Sequence, residues 1–114
     1  LEQNVIWWIE YADLAGLRVD TYGYSDPAFL QGWIRAILRE YPRFSIVGEE
    51  WSANPAIVAH WQSAGRDWAG TSPGTPSLMD FPLSEVLRKG LTEAESFTTG
   101  LGRIHEMLGN DRLY

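Results

Sequence analysis

Gly16-Leu17-Arg18-Val19-Asp20-Thr21 and Val47-Gly48-Glu49-Glu50-Trp51 bracket the stretch on which the rest of the chain depends. Residues 15–20 and 44–49 each read as a short strand that finishes in a carboxylate, Asp20 in the first and Glu49 in the second. Between them Ser25-Asp26-Pro27 opens a helix, with a capping side chain followed by Pro at the first helical position. Phe29, Leu30, Trp33, Ile34, Ile37 and Leu38 then form a continuous apolar stripe at helical spacing. Tyr41-Pro42 stops it, so the predicted helix runs over 27–40. Strand, helix, strand in this length is a βαβ unit, which makes the two strands parallel and usually adjacent. Both carboxylates then leave the sheet at its C-terminal edge, on strands about 4.8 Å apart.

Carboxyl groups at such a separation match the roughly 5–5.5 Å of a retaining glycosidase better than the wider gap of an inverting one. A plainer reading stands beside it, because acidic residues at strand ends also cap the next helix and complement its dipole. Arg18 and Asp20 are two apart, so they share a face, which in a barrel is the interior. A buried Arg needs a carboxylate partner, and a nearby cation lowers a carboxylate's pKa. The pair therefore fits either a nucleophile held ionised or an ion pair at a strand end. Glu49 and Glu50 point to opposite faces if the strand continues, so only one of them joins Asp20.

Gly16-x-Arg18-x-Asp20 and Gly48-Glu49-x-Trp51 resemble two short motifs of the α-amylase family of glycoside hydrolases, found at the ends of its fourth and fifth barrel strands. The runs 20–26, Asp-Thr-Tyr-Gly-Tyr-Ser-Asp, and 77–83, Ser-Leu-Met-Asp-Phe-Pro-Leu, are similar to the neopullulanase and cyclomaltodextrinase branch. The resemblance covers nearly the whole chain and implies an α/β fold, a partial (β/α)₈ barrel holding roughly strands four to six with their helices. A complete barrel needs about 250 residues. Residues 1–114 are accordingly expected to be a piece of the catalytic barrel, incomplete at both ends, which also suits a first residue of Leu rather than Met. The family's strand-three Asp-x-x-x-Asn-His motif and its later Asn-His-Asp motif, which carries a third carboxylate, are absent here.

The implied reaction is retaining cleavage of α-glucosidic bonds in maltodextrin-like substrates. Asp20 would be the nucleophile, Arg18 would orient and ionise it, and Glu49 would be the general acid, which needs a proton near neutral pH. Tyr22 and Tyr24 could offer rings or hydroxyls to a sugar or pack on the rim, and Trp51 could wall the site or pack. Asp80, at the end of a third strand, is read as structural or substrate-contacting. The sequence departs from the family where Gly23 and Tyr24 replace a frequent Lys-His, which bears on substrate contacts and not on the nucleophile. A transglycosylase of the same fold, or a non-catalytic α/β domain binding sugars or a protein, is the alternative. The partners implied are an α-glucan and the rest of the chain's own barrel. No cofactor or metal is expected from these residues, and calcium, where relatives hold it, binds through parts outside them. By family resemblance the compartment would be extracellular or periplasmic.

Composition narrows the choices. A net charge of −6 argues against a nucleic-acid partner, whose phosphates need a basic face. No apolar run approaches the roughly 18 residues of a spanning helix. The absence of cysteine excludes disulfides and thiolate sites. Six tryptophans suit a core between helices and sheet, and most are assigned there. The remaining expectations are a helix over 1–13 stopped by Gly16, a helix over 55–64 after Asn54-Pro55, and a loop over 65–76 in which Trp68 could contact substrate. A short strand over 77–81 follows, then a helix over 83–90 ended by Gly90. The last helix, 93–108, is expected to start from a capping box at Thr92 and Glu95. His60 reads as a surface residue rather than a ligand.

Overall fold

The computed structural model describes residues 1–62 and 77–113. Helix α1 (Glu2–Ala12) leads into strand β1 (Gly16–Val19), and a 3₁₀ turn (Tyr22–Tyr24) into helix α2 (Pro27–Glu40). Strand β2 (Ser45–Gly48), helix α3 (Pro55–His60), strand β3 (Ser77–Leu78), helix α4 (Phe81–Thr92) and helix α5 (Gly102–Gly109) follow. The three strands form one parallel sheet in the order β1-β2-β3. Gly16 pairs with Ser45 and Val19 with Gly48, so Asp20 and Glu49 are the next residues along adjacent strands. Partial-barrel architecture, with parallel strands and intervening helices, is thus realised.

The core forms where the apolar stripe of α2 meets the sheet. Leu30, Trp33, Ile34 and Ile37 are buried against Ile46, with Leu17 and Val19 packed beside them and Ile9 of α1 closing one side. The opposite face of the sheet, carrying Arg18, Ser45 and Val47, forms an open hollow of about 250 Å³ among the described residues. Gly48 permits the tight layer next to β2: a Cβ there would come within 2.8 Å of both Leu78 Cδ2 and Tyr22 Cγ. Asp26 caps α2 by accepting from Phe29 N–H at 2.8 Å, and Asn54 caps α3 by accepting from Ala56 N–H at 2.9 Å.

Several expectations need correction. Helix α1 stops at Asp13, whose backbone is left-handed at φ 51°, not at Gly16; Asp tolerates that region because its side chain is short and polar. Helix α4 begins at Phe81 and runs through Gly90 to Thr92. Gly90 is a point of close approach, since a Cβ on it would lie 3.1 Å from Gly100 O. The capping box does not form. Thr92 Oγ1 donates back to Arg88 O at 2.9 Å, and Glu95 Oε2 accepts from Leu101 N–H at 3.1 Å, so α5 starts only at Gly102. Of the tryptophans, Trp33 is buried, but Trp7, Trp8 and Trp51 are exposed. On α1 the stripe of Val5 and Ile9 reaches the core, and Trp7 stacks on Tyr11 outside it at 4.7 Å. The expected loop 65–76, with Trp68, lies outside the described residues.

Candidate active site

Both strands end where their backbones still pair, and this fixes the site. Glu49 N–H donates to Val19 O at 2.9 Å, extending the β1–β2 ladder by one rung past the strands. Thr21 then turns with φ 46°, in the left-handed region, and the chain doubles over so that Tyr22 N–H reaches Glu49 O at 2.9 Å. The same turn aims Thr21 N–H at Glu49 Oε2, 3.1 Å away.

Arg18 holds the two carboxylates together. Its Nη1 donates to Asp20 Oδ1 at 2.7 Å, and its Nη2 donates to Glu49 Oε1. One planar guanidinium therefore spans both groups, with the fork geometry that suits carboxylates. Their surroundings differ. The Glu49 side chain is 6% exposed, whereas that of Asp20 is 72% exposed and open to an incoming molecule. The hydrogen bond from Arg18 is the main cause that holds the Asp20 carboxyl below its usual range, with Glu49 adding to it. Glu49 has both oxygens engaged, one by the guanidinium and one by a main-chain N–H.

Around this pair the expected contact residues separate. Tyr24 and Trp51 are exposed and, with Thr21, line a depression of about 380 Å³ beside Asp20. Trp51 also stacks on Phe81, with ring centroids 5.5 Å apart. Tyr22 does not join them. It is fully buried, edge-on to Trp61 at 5.9 Å, because the Thr21 turn rotates it into the core. Asp80 is used as the N-cap of α4, accepting from Leu83 N–H at 2.8 Å. His60 ends α3 with its ring against Trp61. Among the described residues, no group of three or more His, Cys, Asp or Glu could hold a metal ion. No described helix is long and apolar enough to cross a membrane.

One participant had no sequence signal strong enough to find it. The Thr21 amide is a main-chain donor that any residue type but Pro would carry, and only the left-handed turn directs it.

No protein-family model matches the chain. Among solved structures it is similar to an α-amylase from Geobacillus thermoleovorans complexed with acarbose, with a TM-score of 0.79 and 21% identity over 98% of this chain. It is also similar to an Anoxybacillus α-amylase, with a TM-score of 0.76 and 22% identity over 99% of this chain. The chain spans 22% and 24% of the lengths of those two proteins. Its parallel strands and helices have the fold of part of an α-amylase (β/α)₈ barrel.

Proposed function

We propose that residues 1–114 belong to a retaining glycoside hydrolase of the α-amylase family, in its neopullulanase-like branch, acting on α-glucosidic bonds of maltodextrin-like substrates. The observation that carries this reading is the single guanidinium of Arg18 bonded to both Asp20 and Glu49 at the C-terminal ends of adjacent parallel strands. Active sites of (β/α)₈ enzymes lie at that end of the barrel. The bound acarbose of the similar Geobacillus enzyme supports an oligosaccharide as ligand.

In this reading Asp20 Oδ attacks the anomeric carbon, and the bond to the leaving oxygen breaks as Glu49 gives that oxygen its proton. Glu49 then takes a proton from water, which attacks the glycosyl–Asp20 ester and releases a sugar of retained configuration. Asp20 is suited to the first role by its exposure and by the cation that keeps it ionised. Glu49 Oε1 faces Arg18, so a sugar entering between them has to displace that contact before the oxygen can serve the leaving group. Arg18 would then remain on Asp20 as its orienting partner. Tyr24 and Trp51 supply aromatic surface for the sugar.

The test uses the full-length protein that carries these residues and measures reducing ends released from maltoheptaose. Asp20→Asn and Glu49→Gln should each lower kcat by several orders of magnitude, since each removes a covalent or proton-transfer step. Unchanged turnover in either variant would overturn the assignment. Residues 1–114 alone should release nothing, because among the described residues the sheet face carrying Arg18 is open and catalysis needs preorganised groups on all sides.

A further inference from the structure

Trp51 and the ring it stacks on come from backbones of unequal firmness. Residues 49–54 run from β2 to α3 without forming helix or strand. Trp51 lies in that loop and is 66% exposed, so little in its own segment fixes the side chain. Phe81 has a firmer base. It is the first residue of α4, where the Asp80 cap accepts from Leu83 N–H at 2.8 Å and the next residue, Pro82, is buried. Phe81 N–H donates to Met79 O at 3.0 Å, and Met79 N–H donates to Gly48 O at 3.0 Å, one residue before Glu49. The Phe81 ring is therefore anchored to the same strand that delivers the candidate acid.

The centroids of the two rings are 5.5 Å apart and their planes 24° from parallel. Stacking at this distance favours the paired orientation over unstacked ones by roughly two- to tenfold. One face of the indole meets Phe81, which leaves the other to the depression that Trp51 lines with Thr21 and Tyr24. Phe81 stands behind the indole, outside that lining. We propose that Phe81 is a positioning residue for sugar binding. Through the stack it holds Trp51 as a wall of the depression, and so raises the affinity for the sugar units that lie there without touching them. The inference rests on the reading of this depression as part of an α-glucan site. A wall of this kind serves bound substrate and transition state alike, so its loss appears in KM rather than in kcat.

The experiment uses the full-length protein and compares wild type with Phe81→Ala, Phe81→Leu, Phe81→Tyr, Trp51→Ala and Phe81→Ala/Trp51→Ala. For each, kcat and KM on maltoheptaose and the thermal midpoint are measured. Phe81→Ala and Phe81→Leu should raise KM by roughly two- to tenfold, with kcat nearly unchanged. Phe81→Tyr keeps the ring and should keep the wild-type KM. In the Trp51→Ala background, Phe81→Ala should add nothing, because the two residues act through one contact. Phe81→Leu retains apolar bulk, so it carries the comparison wherever the midpoint shows that Phe81→Ala has lost its fold. A wild-type KM in Phe81→Leu, or the same rise in KM from Phe81→Ala with and without Trp51, would overturn the inference. Should wild type release no reducing ends, the functional reading falls, and the sugar-binding role of Phe81 with it. The stack is then judged by near-ultraviolet circular dichroism. A loss common to Phe81→Ala and Trp51→Ala, and no deeper in the double variant, supports it; independent changes overturn it.

Discussion

The βαβ layer and the α4–α5 corner are assembled by different forces. In the first, Leu30, Ile34, Ile37 and Ile46 are each no more than 2% exposed, and the hydrophobic effect holds helix to sheet. In the second, α5 buries no residue fully. Arg103 Nε donates to Glu93 Oε2 at 2.6 Å, Glu85 pairs with Arg88 and Lys89, and Glu95 accepts from the Leu101 amide. Apolar burial tolerates salt and pH, whereas exposed charge pairs depend on both. The candidate site stands on the first kind of structure, which suits groups that have to be held still.

Ile37→Ala should separate the regions most widely. Ile37 is completely buried, and truncation there should cost about 2–5 kcal/mol in urea unfolding. The matching truncation Leu101→Ala, at a residue 55% exposed, should stay within about 0.5 kcal/mol. Equal losses at the two sites would abolish the distinction. Asp26→Ala should come next, at about 1 kcal/mol, through loss of the α2 cap. Arg103→Met should have a smaller effect, and roughly 1 M salt should erase the difference from wild type while leaving that of Ile37→Ala intact. A loss at Arg103 that persists in salt would show the corner to be packed rather than paired.

The smallest effects are in pH. Glu85 is lowered to about 2, first by its hydrogen bond from Arg88 and then by that from Lys89. Its folded pKa lies below the ordinary 4.5, so its contribution is present above pH 4.5 and is lost as pH falls toward about 2. Tyr41, which bonds Glu10 and so ties α2 to α1, is raised to about 12 by that hydrogen bond. Its contribution is complete below pH 10 and is lost as pH rises through about 12. Glu85→Gln should flatten only the acid limb of a pH–stability profile, and Tyr41→Phe only the alkaline limb. Crossed responses would mean that the two regions are coupled.

What the sequence disclosed follows the same division. Helix α2 was legible because its stripe repeats with the helix period, and its start because Asp26-Pro27 carries the cap within itself. The parallel sheet followed from the length between the two strands. Local signals failed where a distant partner intervened. Thr92 and Glu95 have the spacing of a capping box, but Glu95 finds the Leu101 amide instead. Gly90 looks like a helix stop and serves as a place for Gly100 to approach. Tyr22 and Tyr24 are alike in sequence, yet the backbone at Thr21 sends one into the core and leaves the other in water. Asp20 and Glu49 could be picked out because each follows the end of a strand, and Arg18 because it shares a face with Asp20 two residues before it. Their shared guanidinium required the register of the folded sheet.

The Thr21 amide gives the molecule a clock of its own. Its residue is exposed, and an exposed amide in a turn would ordinarily trade its hydrogen for deuterium rapidly. This one is engaged by the carboxylate of a buried Glu49, so exchange has to wait until that hydrogen bond opens. The residence time of a single proton at Thr21 therefore measures how often the Glu49 carboxylate leaves its seat, and it does so without any substrate bound.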